Sequence, residues 1–169
     1  MKKRSAFLIA VAIPLLILLA MTVKPEVTVL LGQEVVLETK AVDPTDLFRG
    51  DYVSVSMKIS DIPMAKLPTP IDKMIKKNLY VTLKQEGKYY VVDNVSVNKP
   101  KRGIYLKGKF QHYSIGAESV QLDYSLGKYF VKQGSGVDLQ QQSAKGALEG
   151  KVKVLGGYGV LTDIKPKSI

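Results

Sequence analysis

Within ten residues the chain gathers Asp43, Asp46, Arg49, Asp51 and Tyr52, so three carboxylates and a phenol surround one guanidinium. The forked donors of Arg49 can bridge Asp43 or Asp46 while Asp51 accepts backbone N–H groups, which describes a self-satisfied turn. The same groups can instead form a docking surface for a membrane partner or a weak cation site. These five residues are therefore the candidate binding set. Steps of three and five residues between the carboxylates do not match an EF-hand loop, which argues against calcium.

The rest of the chain offers little for catalysis. It has one His and no Cys, which excludes Cys nucleophiles, Cys-His zinc sites, iron-sulfur clusters and disulfides. His112 falls in a strand-like segment, and no G-x-S-x-G elbow accompanies it to complete a Ser-His-Asp set. Gly134-Ser135-Gly136 and Gly156-Gly157-Tyr158-Gly159 lack the phosphate-loop Lys and the dinucleotide spacing, so they read as turns. The expectation is no catalytic residue, no metal-ligand set and no cofactor.

The elements that must position the acidic cluster follow from its own neighbourhood. Asp43-Pro44 starts a turn, Asp46 can cap a helical turn reaching Phe48, and Gly50 gives backbone freedom ahead of a strand. From there Val53, Val55, Met57 and Ile59 alternate with Tyr52, Ser54, Ser56 and Lys58. The first set is expected to face a core.

Ahead of this lies an apolar leader. Lys2, Lys3 and Arg4 precede an uncharged run from Ser5 to Val23, closed by Lys24 and Pro25. As a helix the run would reach about 28 Å, close to the hydrocarbon thickness of a bilayer. Pro14 is tolerable in a lipid-spanning helix. A cleaved signal peptide would need a small-x-small site, and neither Leu18-Leu19-Ala20 nor Ala20-Met21-Thr22 supplies a good one. The reading is an uncleaved single-pass anchor, contacting the bilayer through residues 5–23. Its basic start lies in the cytoplasm and the rest of the chain in the extracytoplasmic space or periplasm. The divisions are 1–24 as cytoplasmic start and anchor, 25–164 as an extracytoplasmic domain and 165–169 as a frayed tail.

Between residues 26 and 164 period-two patterning dominates, so the fold class is mainly β, of α+β type. It predicts a barrel-like or sandwich domain with one short helix near the C-terminus. Val27, Val29 and Leu31 before Gly32, with Val35 and Leu37 after it, suggest a hairpin. A second pairs Leu79, Val81 and Leu83 with Tyr89 to Val97 across Gly87. Pro63, Pro68 and Pro70 imply an extended loop, Ile104 to Tyr113 a strand, and Gly127 to Gly136 an irregular stretch. Val137 to Leu148 is the helix, and Lys151 to Leu155 with Tyr158 to Ile164 close a terminal hairpin.

Four cations and no anion fall in residues 1–24, so the +10 chain leaves a domain of +6. Lys73, Lys76 and Lys77 form one basic cluster, and Lys99, Lys101, Arg102, Lys107 and Lys109 another. Such charge suits anionic lipid headgroups or envelope polymers, and equally a soluble domain with protected sheet edges. Nucleic acid is not an expected partner on that side of the membrane.

The run Asp43-Pro44-Thr45-Asp46-Leu47-Phe48-Arg49-Gly50-Asp51-Tyr52 resembles the bacterial GDYXXLXY proteins, with Val55 at the motif's Leu position and Met57 at its second Tyr position. Tyr124-Ser125-Leu126-Gly127-Lys128-Tyr129-Phe130-Val131 is similar to the family's second half, so the resemblance covers most of residues 27–164. It implies a short, N-terminally anchored protein encoded beside multi-spanning membrane proteins, and it brings no reaction. Arg49-Gly50-Asp51-Tyr52-Val53 also resembles the strand opening of type I signal peptidases. However, the Ser-Met-x-Pro segment those enzymes need ahead of it is absent, as is their G-D-N-R box. The expected function is a membrane-anchored, non-catalytic accessory protein whose partner is a multi-spanning membrane protein. The alternatives are a binding module for anionic polymer or lipid headgroups, and a Ser-Lys hydrolase.

Overall fold

A computed structural model describes residues 2–42, 52–68, 77–112, 118–132 and 136–167. Asp43, Asp46, Arg49 and Asp51, with the helical turn expected at Asp46–Phe48, lie outside the described residues, as do Tyr113, Lys73 and Lys76. The chain opens with one long helix, α1 (Lys2–Leu31). Its side chains are exposed all round from Phe7 to Lys24, and Phe7–Leu31 is long and apolar enough for a membrane span or a signal sequence.

The expected hairpin at Val27–Leu37 is not formed. Residues 27, 29 and 31 belong to α1, and the first strand, β1 (Gln33–Lys40), begins beyond Gly32. Tertiary contact decides an ambiguous pattern here. Thr28 is buried where the helix end packs on the domain, its hydroxyl donates to the Lys24 carbonyl at 2.8 Å, and Leu30 and Leu31 stay exposed. Pro25 removes one helical N–H without breaking the run. Gly32 ends the helix by donating to the Thr28 carbonyl at 2.8 Å, and a side chain at Gly32 would collide with that oxygen.

Ten further strands follow β1. They are β2 (Tyr52–Ser54), β3 (Ser56–Met57), β4 (Asp61–Pro63), β5 (Asn78–Glu86), β6 (Tyr89–Ser96), β7 (Ile104–His112), β8 (Ser119–Asp123), β9 (Lys128–Phe130), β10 (Leu148–Leu155) and β11 (Tyr158–Pro166), with α2 (Gly136–Ala144) between β9 and β10. One sheet runs β11-β10-β1-β3, a second β4-β8-β7-β5-β6, and β2 pairs with β9. The two larger sheets meet along two seams. β1 runs beside β6, and β7 meets the β10–β11 turn through a parallel Leu106–Gly157 bridge in which Lys107 N–H donates to Gly157 O at 2.8 Å. The product is a near-closed barrel with a half-barrel extension. Its interior holds Val35, Leu37, Leu79, Val81, Leu106, Leu122, Leu148 and Val152, all at 1% exposure or less.

The β5–β6 hairpin forms as patterned, turning at Gly87 with φ +60°. Val53, Val55, Met57 and Ile59 are all buried, although the segment breaks into β2, β3 and a 3-10 turn at Lys58–Ser60. The proline-rich stretch contains a short strand, β4, on the sheet edge, where Pro63 stands opposite Ser119 and its missing N–H is tolerated. Irregular Gly127–Gly136 includes β9. The C-terminal helix is shorter than Val137–Leu148, because Gly146 turns the chain at φ +65° and Leu148 opens β10. Residues 165–167 of the expected frayed tail are part of the fold, since β11 continues to Pro166 and Lys167 N–H donates to Ala147 O at 2.9 Å, while residues 168–169 lie outside those described.

Candidate functional site

Of the five candidate residues only Tyr52 lies among those described, so the local site is the strand that carries the acidic cluster into the domain. β2 is a three-residue strand with two edges to satisfy. One edge pairs antiparallel with β9, placing Tyr52 opposite Phe130 and Ser54 opposite Lys128. The other is closed by side chains of α2: Gln140 Oε1 accepts from Ser54 N–H at 2.9 Å, and Ser143 Oγ donates to Ser54 O at 2.5 Å. The next residue, Val55, donates its N–H to Gly127 O at 3.0 Å. Each of these partners is more than seventy positions away in the chain, so sequence inspection had no local signal for them.

Ser143 is fully buried and its hydroxyl is committed to Ser54. Ser143→Ala leaves that half-buried carbonyl short of a donor, and the expected loss is about 1 kcal/mol of stability. Chemical denaturation of the variant checks this, and an unchanged midpoint would show that α2 does not brace β2.

Around Tyr52 the surface is aromatic and basic. Its ring meets Phe130 edge-on with centroids 6.2 Å apart, and Lys128 Nζ stands 4.7 Å from its centroid. Phe130 is 74% exposed and Val137, at the start of α2, is 64% exposed. On the other side of the motif a cavity of about 200 Å³ is lined by Val55, Met57, Leu122, Ser60 and Gln121. Met57 therefore brings an adaptable thioether to a position where the family motif has a phenol. Tyr124 closes its wall, donating to Ile59 O at 3.0 Å, and burial with the nearby Asp61 charge raises the phenol far above its ordinary range. Among the described residues no three His, Asp, Glu or Cys side chains converge as a metal site would require.

A second polar cluster was not foreseen. Glu149 projects from the face of β10 opposite Leu148, yet it is fully buried. Lys88 Nζ lies 2.7 Å and Lys165 Nζ 3.5 Å from its carboxylate, and the Tyr89 hydroxyl donates to it at 3.0 Å. Directly across the ladder stands Glu38, paired with Lys58 at 2.7 Å and Lys167 at 2.9 Å. Two like charges face one another, and four ammonium groups offset them. Period-two reading treats each member as an ordinary outward charge, which is why the cluster is invisible in the sequence.

Burial alone would raise the carboxyl pKa of Glu149. The hydrogen bonds from Lys88 and Tyr89, with the charges of Lys88 and Lys165, outweigh it and hold the pKa below the ordinary 4.5. Glu38 is lowered in the same way, burial opposing and Lys58 and Lys167 prevailing. Carboxyls depressed in the folded state stabilise it fully above the unfolded value, and that stability is lost as pH falls through the folded value. Melting temperature should thus fall as pH drops through and below the ordinary carboxyl value of 4.5. Glu149→Gln should be less stable at neutral pH and show a shallower acid decline. Parallel decline curves for both proteins would contradict this.

Comparison with known proteins adds one match. A model of the GDYXXLXY proteins aligns with residues 14–164, spanning most of α1 and nearly all of the β domain. No curated protein and no solved structure matches the chain.

Proposed function

The chain belongs to the GDYXXLXY protein family, and from that premise we propose that it is a membrane-anchored, non-catalytic accessory protein. In this reading α1 crosses the bilayer of a bacterial cell and the β domain lies outside the cytoplasm. The domain docks there on a multi-spanning membrane protein. The basic residues 2–4 support the orientation, since cations are retained on the cytoplasmic side. The exposure of every apolar side chain from Phe7 to Val23 supports residence in lipid.

The observation that carries docking is the exposure of two apolar side chains near this strand: Phe130, whose ring meets Tyr52, and Val137, at the start of the helix that braces Ser54. Large apolar side chains beside a braced edge strand suit a partner surface better than water. A photo-crosslinking amino acid at Phe130 or Val137, activated in intact membranes, is expected to capture an integral membrane protein. The same probe at exposed Lys101 supplies the background. Phe130→Ser with Val137→Ser should lower partner recovery about tenfold while shifting stability by no more than about 0.5 kcal/mol. Adducts no stronger than at Lys101 would refute the docking face.

A further inference from the structure

Lys24, Lys107 and Lys109 converge with Tyr158 on a cavity of about 290 Å³. One carboxylate, Asp123, lies in its described wall, and that group already accepts the Ser125 N–H at 2.7 Å. Among the described residues none of the three lysines forms an ion pair. Lys24 is held instead over the Tyr158 ring, 4.2 Å from its centroid. The cavity is therefore cationic and has an aromatic wall.

Its architecture is fixed by the barrel seam. Lys107 and Lys109 stand two apart on the outer face of β7, opposite Tyr80 and Asn78 in register. The β10–β11 turn is drawn against them by the Lys107–Gly157 hydrogen bond, and Gly157 can come so close because a Cβ there would lie 2.5 Å from the Tyr105 ring. The position relative to α1 matters as much as the charge. Lys24 is the first charged residue after the apolar run that begins at Ser5. When α1 spans a bilayer, the cavity lies at the level of the phospholipid headgroups, where tyrosine and lysine side chains concentrate.

We propose that this cavity binds the phosphate-bearing headgroup of an anionic phospholipid from the leaflet on the domain side. Ammonium groups act as point charges for phosphate oxygens, and basic pockets beside a spanning helix suit phospholipid headgroups. The inference rests on the anchored reading of α1 and is independent of the docking partner. Headgroup binding would set the domain's orientation, with the β10–β11 turn against the membrane surface.

Full-length protein extracted from carbonate-washed membranes and examined by native mass spectrometry with added phosphatidylglycerol or phosphatidylcholine provides the test. The wild type is expected to retain one phosphatidylglycerol in preference to phosphatidylcholine. Lys107→Gln with Lys109→Gln should weaken that retention by roughly 30-fold, as should Lys24→Gln in part, whereas Lys99→Gln with Lys101→Gln should leave it unchanged. Since all these lysines are exposed, melting temperature verifies that each variant is folded. Equal retention by the Lys107/Lys109 variant and the wild type, or equal retention of both lipids, overturns the site while leaving the anchor intact. Displacement of the lipid by inorganic phosphate at matched concentration overturns the lipid assignment in favour of a free oxyanion. Absence of the chain from carbonate-washed membranes overturns the anchor and the site together.

Discussion

Deleting Lys2–Val23 should transfer the protein from the membrane fraction to the soluble fraction and leave the melting temperature of the β domain within about 2 °C of the full chain. Both halves of this result follow from burial. Side chains from Phe7 to Val23 are all exposed, so removing them opens no cavity in the barrel. Leu, Ile, Phe and Val each favour the bilayer centre by about 0.3 to 0.6 kcal/mol on an insertion scale, and the expected loss from the membrane fraction follows from removing a run of them. The last two turns of α1 behave differently. Thr28 is buried and Lys24 stacks on Tyr158, so a deletion extended to Leu31 should destabilise the domain as well. Fractionation and thermal melting of the two truncations separate the exposed apolar part of the helix from the part that packs on the domain.

Leu37→Ala is expected to lower the unfolding free energy by about 3 kcal/mol, whereas Leu31→Ala should change it by less than about 0.5 kcal/mol. Leu37 is fully buried on β1, and its partner across the ladder is Gly150, which has no side chain to relax into the vacated space. Met57 reaches that glycine, and its flexible thioether can recover only part of the lost contact. Leu31 is 73% exposed at the end of α1. The two leucines are equivalent in an alternating hairpin, so similar losses from both would restore the strand reading of residues 27–31 and contradict the helix. Urea titration of both variants decides the matter.

These two leucines also show where sequence patterning stops being informative. Val27, Val29 and Leu31 satisfy a strand template over five residues, but the deciding facts lie elsewhere in the chain: Tyr158 receives Lys24, and the domain covers Thr28. Patterning works best where a local turn joins two alternating runs, as at Gly87 between β5 and β6. It also places Val53, Val55, Met57 and Ile59 inside, because burial of one face needs only the alternation. What it misses are the polar links of high sequence separation, namely Gln140 and Ser143 to Ser54, and Lys88 to Glu149. Each is an unremarkable polar residue until the fold brings its partner near. Of the candidate set, Tyr52 takes a defined place beside Phe130 and Lys128.

The proposed role requires that α1 remain part of the mature chain and hold the domain on the outer side of the membrane. Intact-mass analysis of the protein in carbonate-washed membranes, before and after protease is added to the outside of spheroplasts, measures both at once. The account predicts a species of about 18.6 kDa that retains residues 2–24 and loses its β domain to external protease. A shorter soluble species whose N-terminus falls beyond Thr22, or a full-length membrane species resistant to external protease but digested once the cells are opened, would contradict it.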